Sequence, residues 1–176
     1  MDYKIHGNEV QYLEVNLLKN EKVFGDIKSV VTKDKGIKIH ADYHELLDSI
    51  IKKDSTQFTE FKNTFDRTRQ MIFSVHLCNE IRKLDNKRSY LVDPNRVLCS
   101  SHDMETDHDL IHVKDSSIFL YSLGEIQIKQ VEADIRLSID KDALMAMTDS
   151  IKIQGEDFKS IVLEGPGHIW LSSHKI

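Results

Sequence analysis

The sequence predicts a mostly β protein built from three β-rich units, with one short amphipathic helix near residues 43–54. Three observations predict this fold class. Apolar and polar residues alternate with a period of two in most segments, a set of apolar and turn positions recurs at an offset of 47 residues, and only one segment carries apolar residues at helical spacing. We therefore expect a single domain over residues 1–176, with units at about 1–75, 76–121 and 122–176.

The predicted strands are the segments in which apolar and polar residues alternate. This alternation is clear at residues 3–5, 13–17, 37–39 and 126–128. Successive side chains of a strand point to opposite faces of the sheet, so a period of two places one face on a core and the other in water. Each of these segments is therefore expected to lie in a sheet with one solvated face.

Turns are predicted where the residues favour a reversal of the chain. In Asp93-Pro94-Asn95, the proline ring fixes φ and Asn95 tolerates a left-handed conformation. The Gly165-Pro166-Gly167 sequence predicts the turn of the last hairpin, and Lys35-Gly36 predicts a turn in the first unit.

The repeat is clearest between residues 92–99 and 139–146. Both segments have an apolar residue, an aspartate, three turn residues and then an apolar run. At the same offset of 47, residues 71–73 fall on 118–120, and Ile81 and Leu84 fall on Ile128 and Val131. A looser match places residues 30–31 where residues 97–98 stand. Units this small cannot bury an apolar face alone, so we expect them to share a core.

One segment has helical spacing instead. Its apolar positions recur three or four residues apart, with acidic residues early and lysines late, and they are Tyr43, Leu46, Leu47, Ile50 and Ile51. We interpret this stripe as the cover of an open barrel end or of a sheet edge. A membrane-surface or partner-binding helix is the alternative, although both signs of charge on its polar side argue against an anionic-lipid anchor.

Composition excludes several classes of protein. The 176 residues are 40% hydrophobic, which excludes a disordered chain, and no apolar stretch approaches the roughly 18–20 residues of a membrane span. Residues 1–6 lack the pattern of a signal peptide or an organellar presequence, so we expect a cytoplasmic protein. The formal net charge of −5 argues against nucleic-acid binding, and the basic residues within 82–88 are interpreted as a solvated turn.

The histidines and acids of residues 101–112 are the strongest candidates for a metal site. Three histidines (His102, His108 and His112) lie among four acids there, and such side chains suit zinc or another first-row ion. On one strand His102 and His108 would stand about 20 Å apart, so they converge only if the chain turns back between them. We favour a solvated acidic loop and keep metal binding as the alternative.

The remaining candidates favour structural roles. Cys78 and Cys99 lack a Cys-x-x-Cys spacing, and each follows apolar residues, so we interpret both as buried thiols. Trp170 alternates between apolar neighbours and is expected to pack in a core or interface; ligand stacking is the alternative. The Glu156-Asp157 pair indicates nothing by itself. No nucleophile elbow, phosphate loop or dinucleotide fingerprint is present, so we expect no enzyme, no cofactor and no catalytic residue.

Short ordered motifs resemble the altered-inheritance-of-mitochondria-24-like family. The opening residues 3–8 and 11–15, the mid-chain residues 61–65, and residues 81–84 and 90–93 each look like family motifs. The most specific match is the closing hairpin at residues 163–171, which is similar to a Gly-Pro-Gly-x-Val-Trp-Leu motif. Two turns, at residues 66–70 and 114–117, lack the glycines that the family often has.

The resemblance implies a fold related to the tryptophan RNA-binding attenuation protein, with three β-rich units in pseudo-threefold symmetry akin to a double-stranded β-helix. It implies no established catalytic activity. Our first functional hypothesis is a non-enzymatic scaffold or assembly module that binds proteins, including copies of itself. The alternatives are an RNA-binding protein, by analogy of fold, and a small metal-dependent enzyme using residues 102–112. The ligand class is left open.

Overall fold

The computed structural model describes residues 1–40, 58–104 and 109–174, and it is mostly β. This confirms the predicted fold class. The predicted helix near residues 43–54 lies outside the described residues. The strands, numbered in chain order, are β1 (Asp2–His6), β2 (Tyr12–Leu17), β3 (Lys22–Asp26), β4 (Val30–Lys33), β5 (Ile37–His40), β6 (Phe58–Asn63), β7 (Arg69–Phe73), β8 (Glu80–Lys83), β9 (Tyr90–Val92), β10 (Val97–Ser100), β11 (Ile111–Val113), β12 (Ile118–Ser122), β13 (Ile126–Val131), β14 (Arg136–Asp140), β15 (Leu144–Thr148), β16 (Lys152–Glu156), β17 (Ser160–Glu164) and β18 (Gly167–Ser172).

These strands form four sheets in which the neighbouring strands are antiparallel. Their strand orders are β1-β2-β7-β4, β5-β6-β3-β10-β12-β8, β11-β9-β15-β18-β13 and β14-β17-β16. The second sheet joins the early strands to the middle ones through β3 and β10, and the third joins the middle strands to the late ones through β9 and β15. Sheet pairing is therefore continuous from the early to the middle strands and from the middle to the late ones.

One local motif occurs three times. Asp26, Asp93 and Asp140 each cap a short 3₁₀ turn, and each side chain accepts a hydrogen bond from the backbone N–H two residues later, at 2.8, 2.9 and 3.0 Å. The strand that follows each turn, β4, β10 or β15, begins with an irregular register against its neighbour. The three turns lie where the sequence comparison aligned the chain, and the pseudo-threefold symmetry stays a prediction.

A turn is present at Asp93-Pro94-Asn95, as the sequence predicts. Asn95, a residue type that tolerates a left-handed conformation, lies inside the 3₁₀ turn Pro94–Arg96 and is not among the described residues with positive φ. The Asp93 side chain explains this conformation, because its carboxylate accepts the Asn95 N–H and so stabilises a helical turn. Gly36, by contrast, has a positive φ of 108°, as expected for a turn glycine.

Three buried clusters run along the described chain. The first packs Leu13, Phe61 and Phe73 with Cys99 and Phe119, so residues from the early and middle strands share it. The second combines middle and late residues, such as Tyr90 and Trp170, and the third lies under β14 and β17. No helix in the described part of the chain is long and apolar enough to cross a membrane.

Candidate functional site

The late chain contains a three-stranded sheet of β14, β17 and β16, which we call the outer sheet. One face of it covers the third cluster through Ile161 and Leu163, which are 5% and 0% exposed. Strands β14 and β16 are the two edges of the outer sheet, and in the described residues β17 is the only strand that pairs with either of them. An open strand edge presents backbone N–H and C=O groups that another chain can pair with.

Apolar side chains stand in solvent around the outer sheet. Ile153 on β16 is 46% exposed, and Ile135, directly before β14, is 52% exposed. Phe158, in the turn between β16 and β17, is 93% exposed. These are three of twelve exposed large hydrophobic side chains in the described residues, and their position beside two open strand edges makes the outer sheet a candidate contact surface.

A cleft of about 470 Å³ lies between the outer sheet and the second and third 3₁₀ turns. Its apolar lining includes Leu144 and Ile161. Its polar lining carries one lysine and four carboxylates, contributed by Lys141, Asp93, Asp109, Asp142 and Glu156. Lys141 donates a hydrogen bond to the carboxylate of Glu156 across the cleft. The cleft therefore has an excess of negative charge.

The carboxylates of the cleft do not converge on a single point. In the described residues, no group of three or more His, Cys, Asp and Glu side chains is placed to hold a metal ion. Burial raises the pKa of the Asp93 carboxyl, and the hydrogen bonds from Asn95 and the charge of Arg96 oppose that shift. Asp93 thus serves as the cap of its turn rather than as a free anion.

Arg96 contacts two of the residues that line the cleft, Asp93 and Asp142, and this role was not predicted from the sequence. Its side chain is 1% exposed, and its guanidinium donates to the backbone carbonyl oxygens of Asp142 and His174. Its Nε lies 3.9 Å from the Asp93 carboxylate. Burial lowers the pKa of the guanidinium, and Asp93 opposes that change. Nothing in the local sequence distinguishes this arginine from a solvated one.

Of the candidate metal residues within 101–112, Asp109 lines this cleft, whereas His102 and His112 are not among its lining residues. His102 Nδ1 is 3.0 Å from the hydroxyl of Ser101, and His112 Nε2 is 4.0 Å from the carboxylate of Asp149; both histidines are exposed. His108, the third member, lies outside the described residues. The structure therefore gives His102 and His112 different neighbours and does not bring these two together.

Both cysteines are fully buried. Burial raises the pKa of the Cys78 thiol to about 11 and raises that of Cys99 as well. A nucleophilic thiol needs the opposite shift, because only the thiolate reacts. Cys99 and Ala146 occupy matching places in the strands that follow the second and third turns, and each is 0% exposed.

Trp170 and the Glu156-Asp157 pair are also accounted for by local contacts. Trp170 packs edge-on against Tyr90, with ring centroids 5.4 Å apart, and is 7% exposed. Asp157 accepts hydrogen bonds from the hydroxyl of Ser160 and from the backbone N–H groups of Lys159 and Ser160, which lowers the pKa of its carboxyl. The turn that Asp157 stabilises is the one that presents Phe158.

Residues 3–174 match the family described as Mitochondrial biogenesis AIM24. The chain belongs to this family. The match confirms the resemblance drawn from the opening strands and from the hairpin at residues 163–171. The relation to the tryptophan RNA-binding attenuation protein stays a prediction.

A crystal structure of the Streptococcus pyogenes protein SPYM3_0169 is similar in fold. It superimposes with a TM-score of 0.75 at 14% sequence identity, over 99% of this chain and 94% of that one. At this identity the likeness concerns the fold alone. Among curated proteins, none matches this chain significantly. The AIM24-family fold therefore extends over almost the whole chain, and it does not by itself define a function.

Proposed function

We propose that this AIM24-family chain is a non-enzymatic assembly module that binds other proteins through its outer sheet. The observation that carries the proposal is the exposure of Ile153 and Phe158, at 46% and 93%, beside the open edge of β16. A protein strand that adds to such an edge gains backbone hydrogen bonds, and apolar side chains next to the edge supply area to bury.

The chemistry of the described side chains supports a role without catalysis. Both thiols are buried with raised pKa values, so neither is an activated nucleophile. The acidic cleft holds its lysine in a hydrogen bond with Glu156 and uses Asp93 as a turn cap. These groups are engaged in maintaining the fold, and the exposed apolar residues are the ones left for contact. A cytoplasmic location stays a prediction of the sequence.

Quantitative affinity capture from native lysate tests the proposal. The immobilised wild-type protein is compared with the double variant Ile153→Asp, Phe158→Asp. This variant adds charges on β16 and in the turn after it, and both replaced side chains are exposed. The matched control is Leu18→Asp, because Leu18 is 59% exposed but lies between β2 and β3. Circular dichroism and thermal melts confirm that all three proteins are folded.

We expect the wild type and the Leu18 variant to retain the same proteins and the double variant to lose most of them. An exposed charge in an apolar contact is desolvated on binding, and this cost weakens the complex. Equal capture by all three proteins would place the binding surface elsewhere. A wild type that retains no protein above the level of empty beads would contradict the proposed function.

A further inference from the structure

Two strand pairings join the early strands to the middle ones and the middle strands to the late ones, and both follow the same rule. The strand before the first 3₁₀ turn, β3, pairs with the strand after the second turn, β10, and places Gly25 opposite Cys99. The strand before the second turn, β9, pairs with the strand after the third turn, β15, and places Val92 opposite Ala146. The repeat offsets of 67 and 47 residues that relate the three capping aspartates also relate Gly25 to Val92 and Cys99 to Ala146.

A third pairing by the same rule would join the strand before the third turn to the strand after the first turn, and it is not formed among the described residues. The strand before the third turn is β14, and the strand after the first turn is β4. Each is the last strand of its sheet, and in the described residues β14 pairs only with β17 and β4 only with β7. In the described part of the chain, one strand of each kind that the two junctions combine therefore has an open edge.

The exposure of matching residues shows which strands lack a neighbour. Leu98 and Met145, in β10 and β15, are 1% and 0% exposed, whereas Val31, at the corresponding place in β4, is 60% exposed. Thr32 and Lys33 are exposed as well, although the corresponding residues of β10 and β15 are all buried. The apolar Val31 therefore corresponds to buried residues of the two junctions, and no strand of the described residues covers it.

We propose that a second copy of this chain supplies the missing neighbour, so that β14 of one copy pairs antiparallel with β4 of the next. Continuing the observed register places Ile139 opposite Thr32 and Ser138 opposite Lys33. This inference rests on the proposed assembly role and names the partner as another copy of the chain. It uses β14 and β4, whereas the outer-sheet capture experiment alters β16 and the turn that follows it.

The contact is head-to-tail, because the two strands that meet differ. Such a contact leaves a free β4 on one end copy and a free β14 on the other, so repetition produces a closed ring or an open filament. The contact between two copies joins two short strands, of four and five residues. Because so small a contact is weak, assembly should increase with protein concentration, and fewer β4 and β14 edges should then remain exposed.

Disulfide trapping between two variants that each carry one introduced cysteine tests the register. Lys33→Cys is mixed with Ser138→Cys under mild oxidation; the native cysteines are fully buried and do not compete. The control mixes Lys33→Cys with Ile153→Cys, which lies on β16, the opposite edge of the outer sheet. Opposite residues of an antiparallel pair have Cα atoms close enough for a disulfide, whereas Cα atoms more than about 7 Å apart cannot be bridged without backbone movement.

We expect the Lys33→Cys and Ser138→Cys mixture to yield at least about tenfold more cross-linked dimer than the control mixture, because only the first pair comes within bridging distance. Equal yields in the two mixtures would overturn the proposed register and contact.

Light scattering after size exclusion provides the second test. The wild type should have a mass above the 20.4 kDa of one chain, rising with concentration. Val31→Lys should shift it toward one chain, and Leu18→Lys should leave it unchanged, since Leu18 is 59% exposed and lies in neither strand.

A wild type that stays at the mass of one chain at every concentration would overturn the inference, as would equal masses for the Val31 and wild-type proteins. If self-association fails while the outer sheet still captures other proteins, the proposed function stands and its partner is a different chain. If the outer sheet captures no protein while the chain still self-associates, the head-to-tail contact stands and the proposed outer-sheet function is wrong.

Discussion

The guanidinium of Arg96 donates a hydrogen bond to the backbone carbonyl oxygen of Asp142 and thereby connects the second 3₁₀ turn to the third. The same side chain reaches the carbonyl oxygen of His174, so one buried cation links two turns with the end of the described chain. The corresponding positions of the first and third turns are Ser29 and Ala143. This contact is therefore specific to the middle of the chain.

Replacing Arg96 should be costly. Arg96→Met keeps most of the volume but leaves the carbonyl oxygens of Asp142 and His174 without their donor, and we expect it to lower the free energy of unfolding by about 2–4 kcal/mol. The measurement is urea denaturation followed by circular dichroism. Arg136→Met is the control: Arg136 bonds Glu164 at 2.7 Å, but its side chain is 67% exposed, and we expect a loss of about 0–1 kcal/mol. Similar losses for both variants would contradict the role given to Arg96.

Stability should fall in alkaline solution because of the buried thiols. The pKa of Cys78 is about 11 in the folded protein against 9.0 for the free thiol, so the unfolded chain loses this proton at lower pH. The stabilisation is fully present below about pH 9 and is lost as the pH rises to about 11. Over that interval the free energy of unfolding of the wild type should fall by about 2–3 kcal/mol more than that of Cys78→Ala.

Urea denaturation at several pH values measures this difference. For each protein, the change in unfolding free energy with pH is measured relative to its own value at neutral pH. Any pH-independent effect of the alanine substitution on stability therefore cancels. Parallel pH profiles for the two proteins would show that the Cys78 thiol ionises equally easily in the folded and unfolded states.

The glycine before Pro166 should not tolerate a side chain. A Cβ on Gly165 would lie 2.2 Å from the carbonyl oxygen of Glu132 and 2.7 Å from that of Val131, and both are backbone atoms that cannot rotate away. We expect Gly165→Ala to lower the unfolding free energy by about 2–3 kcal/mol through overpacking. Gly155→Ala, where a Cβ meets nothing within 4 Å, should be neutral or stabilising by up to about 1 kcal/mol. Thermal melts of both variants check the contrast, and equal melting temperatures would refute it.

Trp170 should contribute to stability as a packed side chain. Trp170→Ala removes the contact with Tyr90 and most of a buried indole, and the free energy of unfolding should fall by about 3–5 kcal/mol. Phe158→Ala, at a side chain that is 93% exposed, should change it by less than about 0.5 kcal/mol. Circular dichroism follows both, since the first variant lacks the only tryptophan. An unchanged stability of the Trp170 variant would favour ligand stacking.

Local structure could be predicted from the sequence wherever a short pattern determines it. The alternation at residues 13–17 predicts β2 because a period of two matches the strand directly. The repeated aspartate before an apolar run predicts a turn at Asp93 and Asp140. The 3₁₀ form of that turn could not be predicted from Pro94 and Asn95 alone, because it depends on the hydrogen bond that the Asp93 carboxylate accepts.

The open edges could not be predicted from the sequence. Val30-Val31 and Val97-Leu98 have the same apolar character, yet Leu98 is 1% exposed and Val31 is 60% exposed. The difference arises because β10 has a second neighbour, β3, which is distant in sequence, while β4 has one neighbour in the described chain. The residues of a short segment do not indicate which distant strand will pair with it. The contacts of Arg96 could not be predicted for the same reason, because its partners Asp142 and His174 are distant in sequence.

Hydrogen–deuterium exchange at two protein concentrations tests the head-to-tail assembly most directly. Backbone amides that pair between copies are protected only in the assembled protein. At high concentration we expect slower exchange in residues 30–33 and 136–140, that is, in β4 and β14, and unchanged exchange in residues 152–156 of β16. Exchange that is independent of concentration in β4 and β14, or that slows equally in β16, would contradict the assembly.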